Sequence, residues 1–409
     1  MKSAVYVVLF TIAGCSQGVC RSIGSAPGAA PSPAAPNPGH SAAEPVIAAE
    51  PDSGEQEVLG EQIAPLRKGG RRLIAEPPDD AEDTAYVAWV AAAGLAAQNK
   101  LPPPAAPPGF ALRAVPGRDL WVLSEEPKEK KRRRGAAAVV LRTGAAAPLI
   151  VEAPHTFFDR GTLPVALAVF DAQRARALLV NTSHRYGGRP KPGDAAGDDE
   201  GAEEGEGAGG EGAGDEGADG ETTGGGARTD GGRGHGGGGG DLGAGGGARG
   251  ERRAARERLV ASLAFADVAH AERSFFLSAH RALLQSFPGT PAVQLHGFQD
   301  SSAADAAAIA SAVGPSADLE RLLAPLRAVV SEGKVLAYPA DINKLGGATN
   351  VQARWSRQMG APFYHVEMSR TLRDKLIEDA EYRRRFAAAF AGIATGKGQA
   401  GSDGPGLAR

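Results

Sequence analysis

The sequence predicts an α/β domain built on a mainly parallel or mixed sheet flanked by helices. Short apolar runs of strand length alternate with segments of helical period, the order that βαβ units produce. The strand runs carry little polar alternation, as expected of strands buried on both faces. At 409 residues and 42% apolar content, the chain is long enough for a sizeable core with tails to spare.

From the N-terminus, MKSAVYVVLFTIAGC combines Lys2 with an apolar run too short to span a bilayer as a mature helix. It suits a signal peptide over 1–14. The tetrad Ile-Ala-Gly-Cys resembles a bacterial lipobox, which implies lipid attachment at Cys15 and a membrane contact through that anchor. Ser16 follows the cysteine, so the expected location is the cell envelope, with the outer membrane or periplasmic face favoured. Residues 15–57, rich in Pro, Ala, Ser and Gly, then read as a semi-extended linker. Only two cysteines exist, Cys15 and Cys20, which excludes a disulfide core and a thiolate zinc site.

Two ordered pieces follow, 58–187 and 252–395, expected to form one domain. The stretch WVLSEEPKEKKRRRGAAAVVLR reads as two strands joined by a solvated charged turn. PLIVEAPH, ALLVNTSH, AVQLHGF, KVLAYPAD and APFYHVEM are the further strand candidates. LPVALAVFDAQ, VAHAERSFFLSAHRALLQSF, ADLERLLAPLRAVV and NVQARWSRQMG are helical, with Asp267 and Asn350 as expected N-caps and Gly360 as a stop. Residues 370–393 close the domain as an amphipathic helix or helix pair. Between the pieces, residues 191–250 hold 27 of the 57 glycines and fourteen Asp or Glu against four Lys or Arg. So little apolar surface cannot offset chain entropy, and 188–251 reads as a disordered acidic insert, like the tail 396–409. Residues 191–250 contribute a net −10 to the chain's −3, so the remainder is slightly basic at +7; with its one basic run read as a turn, no nucleic-acid partner is expected.

Four strand candidates end alike: PLIVEAPH in His155, ALLVNTSH in His184, AVQLH in His296 and PFYHVE in Glu367. Ligands of open parallel sheets gather outside the carboxyl ends of the strands, so these side chains are expected in one crevice. Two histidines and a carboxylate make a three-ligand Zn²⁺ site with an open position. His155, Asp159 and His296 are the expected ligands, if the loop after the first strand turns back, and His184 is an alternative to Asp159. Glu367 is the expected general base. His184 and Arg185 can orient a substrate carboxylate, since a guanidinium pairs with one as a bidentate fork. His365 shares Glu367's side of its strand and is a candidate supporting residue. His270 and His280 fall on roughly one face of one expected helix.

The order PHTFFDRGT, NTSHRY, VQLHGF, FYHVEMSRTLR resembles the zinc amidohydrolases related to N-formylglutamate amidohydrolase and to phage poly-γ-glutamate hydrolase. That resemblance covers most of residues 135–385 and implies a zinc-carboxypeptidase-like fold. It also implies that His155, Asp159 and His296 hold zinc, that Glu367 is catalytic, and that Arg370 is the substrate-binding arginine after the glutamate. This chain departs from the pattern in placing an aspartate four residues after the histidine, where the relatives commonly use glutamate at other spacings. The expected activity is hydrolysis of an amide or peptide bond in a small-molecule or peptide substrate bearing a carboxylate. Its alternatives are a non-catalytic envelope lipoprotein that binds a peptide or cell-wall ligand, and an esterase working through Ser183 and His184, though Asn-Thr-Ser-His lacks a nucleophile elbow.

Overall fold

The computed structural model describes residues 53–73, 75–126, 133–185, 265–314 and 317–394, all within one compact unit spanning Glu50–Arg409. The signal-like segment with Cys15, residues 15–52 of the expected linker, the insert and the tail lie outside the described residues.

Among the described residues, nine strands form one mixed sheet: β1 (Phe110–Ala114), β2 (Leu120–Glu125), β3 (Ala138–Arg142), β4 (Ala147–Ala153), β5 (Ala175–Val180), β6 (Ala292–Phe298), β7 (Ala306–Val313), β8 (Lys334–Ala337) and β9 (Phe363–Ser369). Their spatial order is β1-β2-β3-β5-β4-β6-β9-β7-β8. The centre, β5-β4-β6-β9, is parallel. An antiparallel meander, β1-β2-β3, extends one side, while β7 runs antiparallel to β9 and parallel to β8 on the other. The expected pair around KEKKRRR is β2 and β3, although residues 127–132 of the connection lie outside the described set.

The helices are α1 (Ser53–Arg67), α2 (Asp80–Gln98), α3 (Thr162–Ala172), α4 (Phe275–Ser286), α5 (Glu320–Val329), α6 (Val351–Gln358), α7 (Arg370–Glu378), α8 (Ala380–Ala388) and α9 (Ala391–Ala394). Their starts follow capping chemistry. Asp79 and Glu82 make a reciprocal capping box for α2, and the Ser274, Asn350, Ser369 and Asp379 side chains accept from backbone N–H groups opening α4, α6, α7 and α8. Helix α1 begins inside the expected linker. Its buried Glu55 accepts two hydrogen bonds from the Arg142 guanidinium of β3. No helix among the described residues is long and apolar enough to cross a membrane.

Chain order places the crevice. From β4 the chain passes through α3 to β5 on one side, then returns through α4 to β6 on the other side of β4. Helices α3 and α4 belong to separate core clusters on opposite faces of the sheet. Their connections therefore diverge between the carboxyl ends of β4 and β6, where open sheets form binding crevices.

Candidate metal centre

His155 follows β4 by two residues, and its carbonyl accepts from the Phe158 and Asp159 N–H groups at 3.0 and 2.8 Å. A single helix-like turn is thereby closed, and residues four apart on such a turn share a face. Asp159 Oδ2 thus lies 3.5 Å from His155 Nδ1, so the four-residue spacing is satisfied by local backbone geometry. The turn is braced from outside by Arg67 of α1, which donates to the Thr156 carbonyl at 2.8 Å.

His296 enters from β6. Its Nδ1 is 3.2 Å from His155 Nδ1 and 3.9 Å from Asp159 Oδ2, which also accepts from Gly297 N–H at 3.0 Å. Gly297 is required here, because a Cβ would fall 2.4 Å from Arg373 Nε. That buried guanidinium crosses the strand ends and donates to the carbonyls of Met368, Phe298 and Arg160.

Outer hydrogen bonds fix which nitrogen of each ring carries hydrogen. His155 Nε2 meets Asp267 Oδ1 at 2.8 Å, and Asp267 is paired with Arg185 at 2.6 Å. Burial works against ionising Asp267, but His155 and Arg185 outweigh it and hold its carboxyl far below the usual range. An ionised carboxylate only accepts, so His155 Nε2 is the donor. His296 Nε2 meets the Gln294 amide oxygen at 2.6 Å, another pure acceptor. Both Nδ1 atoms are left facing each other and Asp159. Three buried donors aimed at one point need a proton or a cation among them. Burial opposes charging His155, but Asp159 and Asp267 outweigh it and raise its imidazole to about 9. Burial with neighbouring His365 and His155 keeps His296 well below its normal value. The donor set fits a divalent cation, which would be held by His155, Asp159 and His296 in place of a proton.

On the same side, β9 supplies His365 and Glu367, with His365 Nε2 3.7 Å from Glu367 Oε1. His296, His365 and Glu367 offer a second group of donor atoms within 4.8 Å of one another. Among the described residues, Glu367 Oε2 and His365 Nδ1 are buried without hydrogen-bond partners, which marks a place built for something besides core packing. Burial first, then the charge of Asp159, pushes the Glu367 carboxyl up to about 8, while burial drives His365 down to about 3.

The remaining sequence candidates fall elsewhere. Strand β5 stops at Val180, and Asn181 then donates to the Pro154 and Ser183 carbonyls at 2.7 and 2.9 Å. The resulting bend carries the His184 ring beside Phe157 and Phe158, at 6.4 and 6.2 Å between centroids, and His184 is absent from both donor groups among the described residues. Ser183 is fully buried and its hydroxyl donates to Asn181, which removes the esterase alternative. Arg185 touches the site indirectly, through Asp267. Arg370 is exposed at the start of α7, 3.6 Å from Asp374, whereas buried Arg373 is the arginine at the strand ends. Asp267 is not the N-cap of α4, which starts later, at Phe275, with Ser274 as its cap; the Asp267 carboxylate serves His155 instead. The same late start leaves His270 outside the helix that carries His280, so these two histidines share no helical face.

No protein-family model and no curated protein matches the chain. Among solved structures, it is similar to N-formylglutamate amidohydrolase from Ralstonia eutropha JMP134, at 12% identity and TM-score 0.30, over 64% of this chain and 97% of that one. It is also similar to the LapA aminopeptidase of Legionella pneumophila, at 10% identity and TM-score 0.30, over 84% of this chain and 72% of that one. Both are hydrolases by name.

Proposed function

We propose that this protein is a zinc-dependent hydrolase of an amide or peptide bond in a carboxylate-bearing substrate, of the N-acyl amino acid, γ-glutamyl or cell-wall peptide type. The carrying observation is the convergence of His155, Asp159 and His296 with both outer imidazole nitrogens already committed. When bound, zinc supplies Lewis-acid chemistry, lowering the pKa of a water and polarising a carbonyl. Glu367 does the proton work. A positive charge at the site opposes the effects that raise its carboxyl, so it becomes a base able to take the proton of an attacking water and return it to the leaving amine. Arg185, held beside the crevice by Asp267, is the group we assign to face the substrate carboxylate, with His184 and Arg370 as further candidates for that role. The resemblance of the strand-end motifs to the zinc amidohydrolases supports the amide over other bonds.

The test separates chemistry from coordination. Glu367→Gln keeps the side-chain shape, so it should retain about one zinc per chain while turnover on an N-acyl amino acid and γ-glutamyl peptide panel falls by roughly 10² to 10⁴. His296→Ala should lose the metal. Release of zinc by Glu367→Gln would make that residue a ligand. A wild-type protein with tightly bound zinc and no hydrolysis would favour the binding alternative.

We further propose that lipid at Cys15 tethers the enzyme to a membrane face, supported by the Ile-Ala-Gly-Cys tetrad and the Pro/Ala-rich stretch after it. Cys15→Ser should move the protein from the membrane to the soluble fraction, and unchanged pelleting would sink the idea.

A further inference from the structure

Behind His296 lies a chain of polar side chains with no exposure at all: Gln294, Glu152 and His280, closed by Ser356. Glu152 of β4 sits in register with Gln294 of β6. Its Oε2 accepts from Gln294 Nε2 at 2.8 Å, and its Oε1 accepts from His280 Nδ1 at 2.6 Å, while His280 Nε2 meets the Ser356 hydroxyl at 3.1 Å. The surroundings are the apolar packing of α4 and α6 on the sheet, including Ile150, Ala279 and Phe363. A buried pair of this kind is a poor stabiliser, since well-packed apolar residues of similar volume commonly do as well or better. Its directional consequence is larger. A carboxylate can only accept, so Glu152 forces the Gln294 NH₂ toward itself and the Gln294 oxygen toward His296. Asn350 imposes the same direction independently. Its Oδ1 accepts from Ala353 N–H at 3.0 Å as the cap of α6, which turns its NH₂ onto Gln294 Oε1. With that oxygen fixed, His296 must carry hydrogen on Nε2 and keep the Nδ1 lone pair for the donor cluster.

We propose that Glu152, although it touches none of the donors, is a positioning residue of the metal centre: acting through Gln294, it selects the tautomer of His296 that presents Nδ1 to the cation. This rests on the reading of the cluster as a metal site. If Gln294 turns over, its NH₂ faces His296 Nε2, which then has to accept, and the ring hydrogen moves to Nδ1 and closes the cation position. The Asn350 cap resists this turn, so removing Glu152 weakens the selection without abolishing it.

Two variants test the proposal, Glu152→Gln and the apolar double Glu152→Leu/His280→Leu. Three measurements apply: thermal unfolding, zinc affinity by chelator competition, and the ¹⁵N spectrum of the labelled imidazoles of metal-free protein, with His296 assigned by its alanine variant. The expected result is a folded protein whose His296 signals move from the Nε2–H pattern toward a mixture, with zinc affinity down about 10- to 100-fold. An unchanged His296 pattern with unchanged affinity in both variants overturns it, as does lost stability with normal affinity of the folded fraction. Wild-type protein that binds no zinc refutes the metal-centre reading instead, and the metal-free spectrum still decides whether Glu152 governs His296.

Discussion

The same three strands, β4, β6 and β9, present two faces that differ in chemistry while sharing near-complete burial. One face carries Val151, Val293, Leu295, Tyr364, Val366 and Met368 against α3, α5, α7 and α8. The opposite face begins apolar at Ile150, Ala292 and Phe363, becomes polar one pleat later at Glu152, Gln294 and His365, and ends at His296 and Glu367. Because strand side chains alternate with a period of two, each strand supplies both patterns at once. The first face holds the sheet to its helices. The second grades from packing to chemistry along the strand direction, so the donors stand on a buried polar floor. Burial alone therefore says little about role: Leu295 and its neighbour Gln294 are equally enclosed, and one fills space while the other aims an imidazole.

The largest effects should separate the faces most cleanly. Leu295→Ala leaves a cavity in the apolar face and should cost about 2 to 5 kcal/mol of stability, with zinc stoichiometry unchanged in the folded protein. His365→Leu, on the polar face, removes a buried imidazole whose Nδ1 has no partner among the described residues. Deleting an unsatisfied polar group should leave stability unchanged or raise it by about 1 kcal/mol, while zinc affinity or turnover falls. Denaturant unfolding of zinc-free protein checks both. If His365→Leu destabilises as much as Leu295→Ala, the polar face is carrying the fold and the division fails.

The division also explains what could be read in advance. The strand runs from PLIVEAPH to APFYHVEM were legible because β-branched and leucine residues cluster there, and His155, Asp159, His296 and Glu367 stood out because their side chains carry chemistry. Strand β7, AAAIASAV, escaped notice, since alanine is a weak strand former and only pairing with β8 and β9 makes it one. Helices α1 and α2 were likewise not anticipated. Gln294 and Glu152 were hidden inside stretches read as simply apolar; their roles depend on a register between β4 and β6 that no single segment encodes. Asp267 looked like a helix cap by local spacing, and only the fold brings it to His155. The error over His184 came from extending β5 by four residues past the bend at Asn181, which changed the direction of everything after it.

A smaller effect sharpens the comparison at the rim of the apolar face. Glu332 sits 2.6 Å from Lys375 of α7 and accepts from the Tyr382 hydroxyl of α8; these contacts outweigh its burial and bring its carboxyl down to about 2. A carboxylate whose folded value lies below its unfolded one, near 4.5, contributes stability that is complete above the unfolded value. That contribution is lost as the pH falls from there toward about 2. Water reaches this pair, so screening limits the contribution to about 1 kcal/mol or less. Glu332→Gln should therefore lower stability slightly at neutral pH and flatten the loss between about pH 4.5 and 2, measured as the difference in unfolding free energy from wild type across that window. The pair joins the loop before β8 to two helices over the apolar face, far in kind from the enclosed Glu152 and His280. Removing Glu332 should leave zinc affinity unmoved, while removing Glu152 should not, and a rim variant that weakened zinc binding would show that the two faces are coupled.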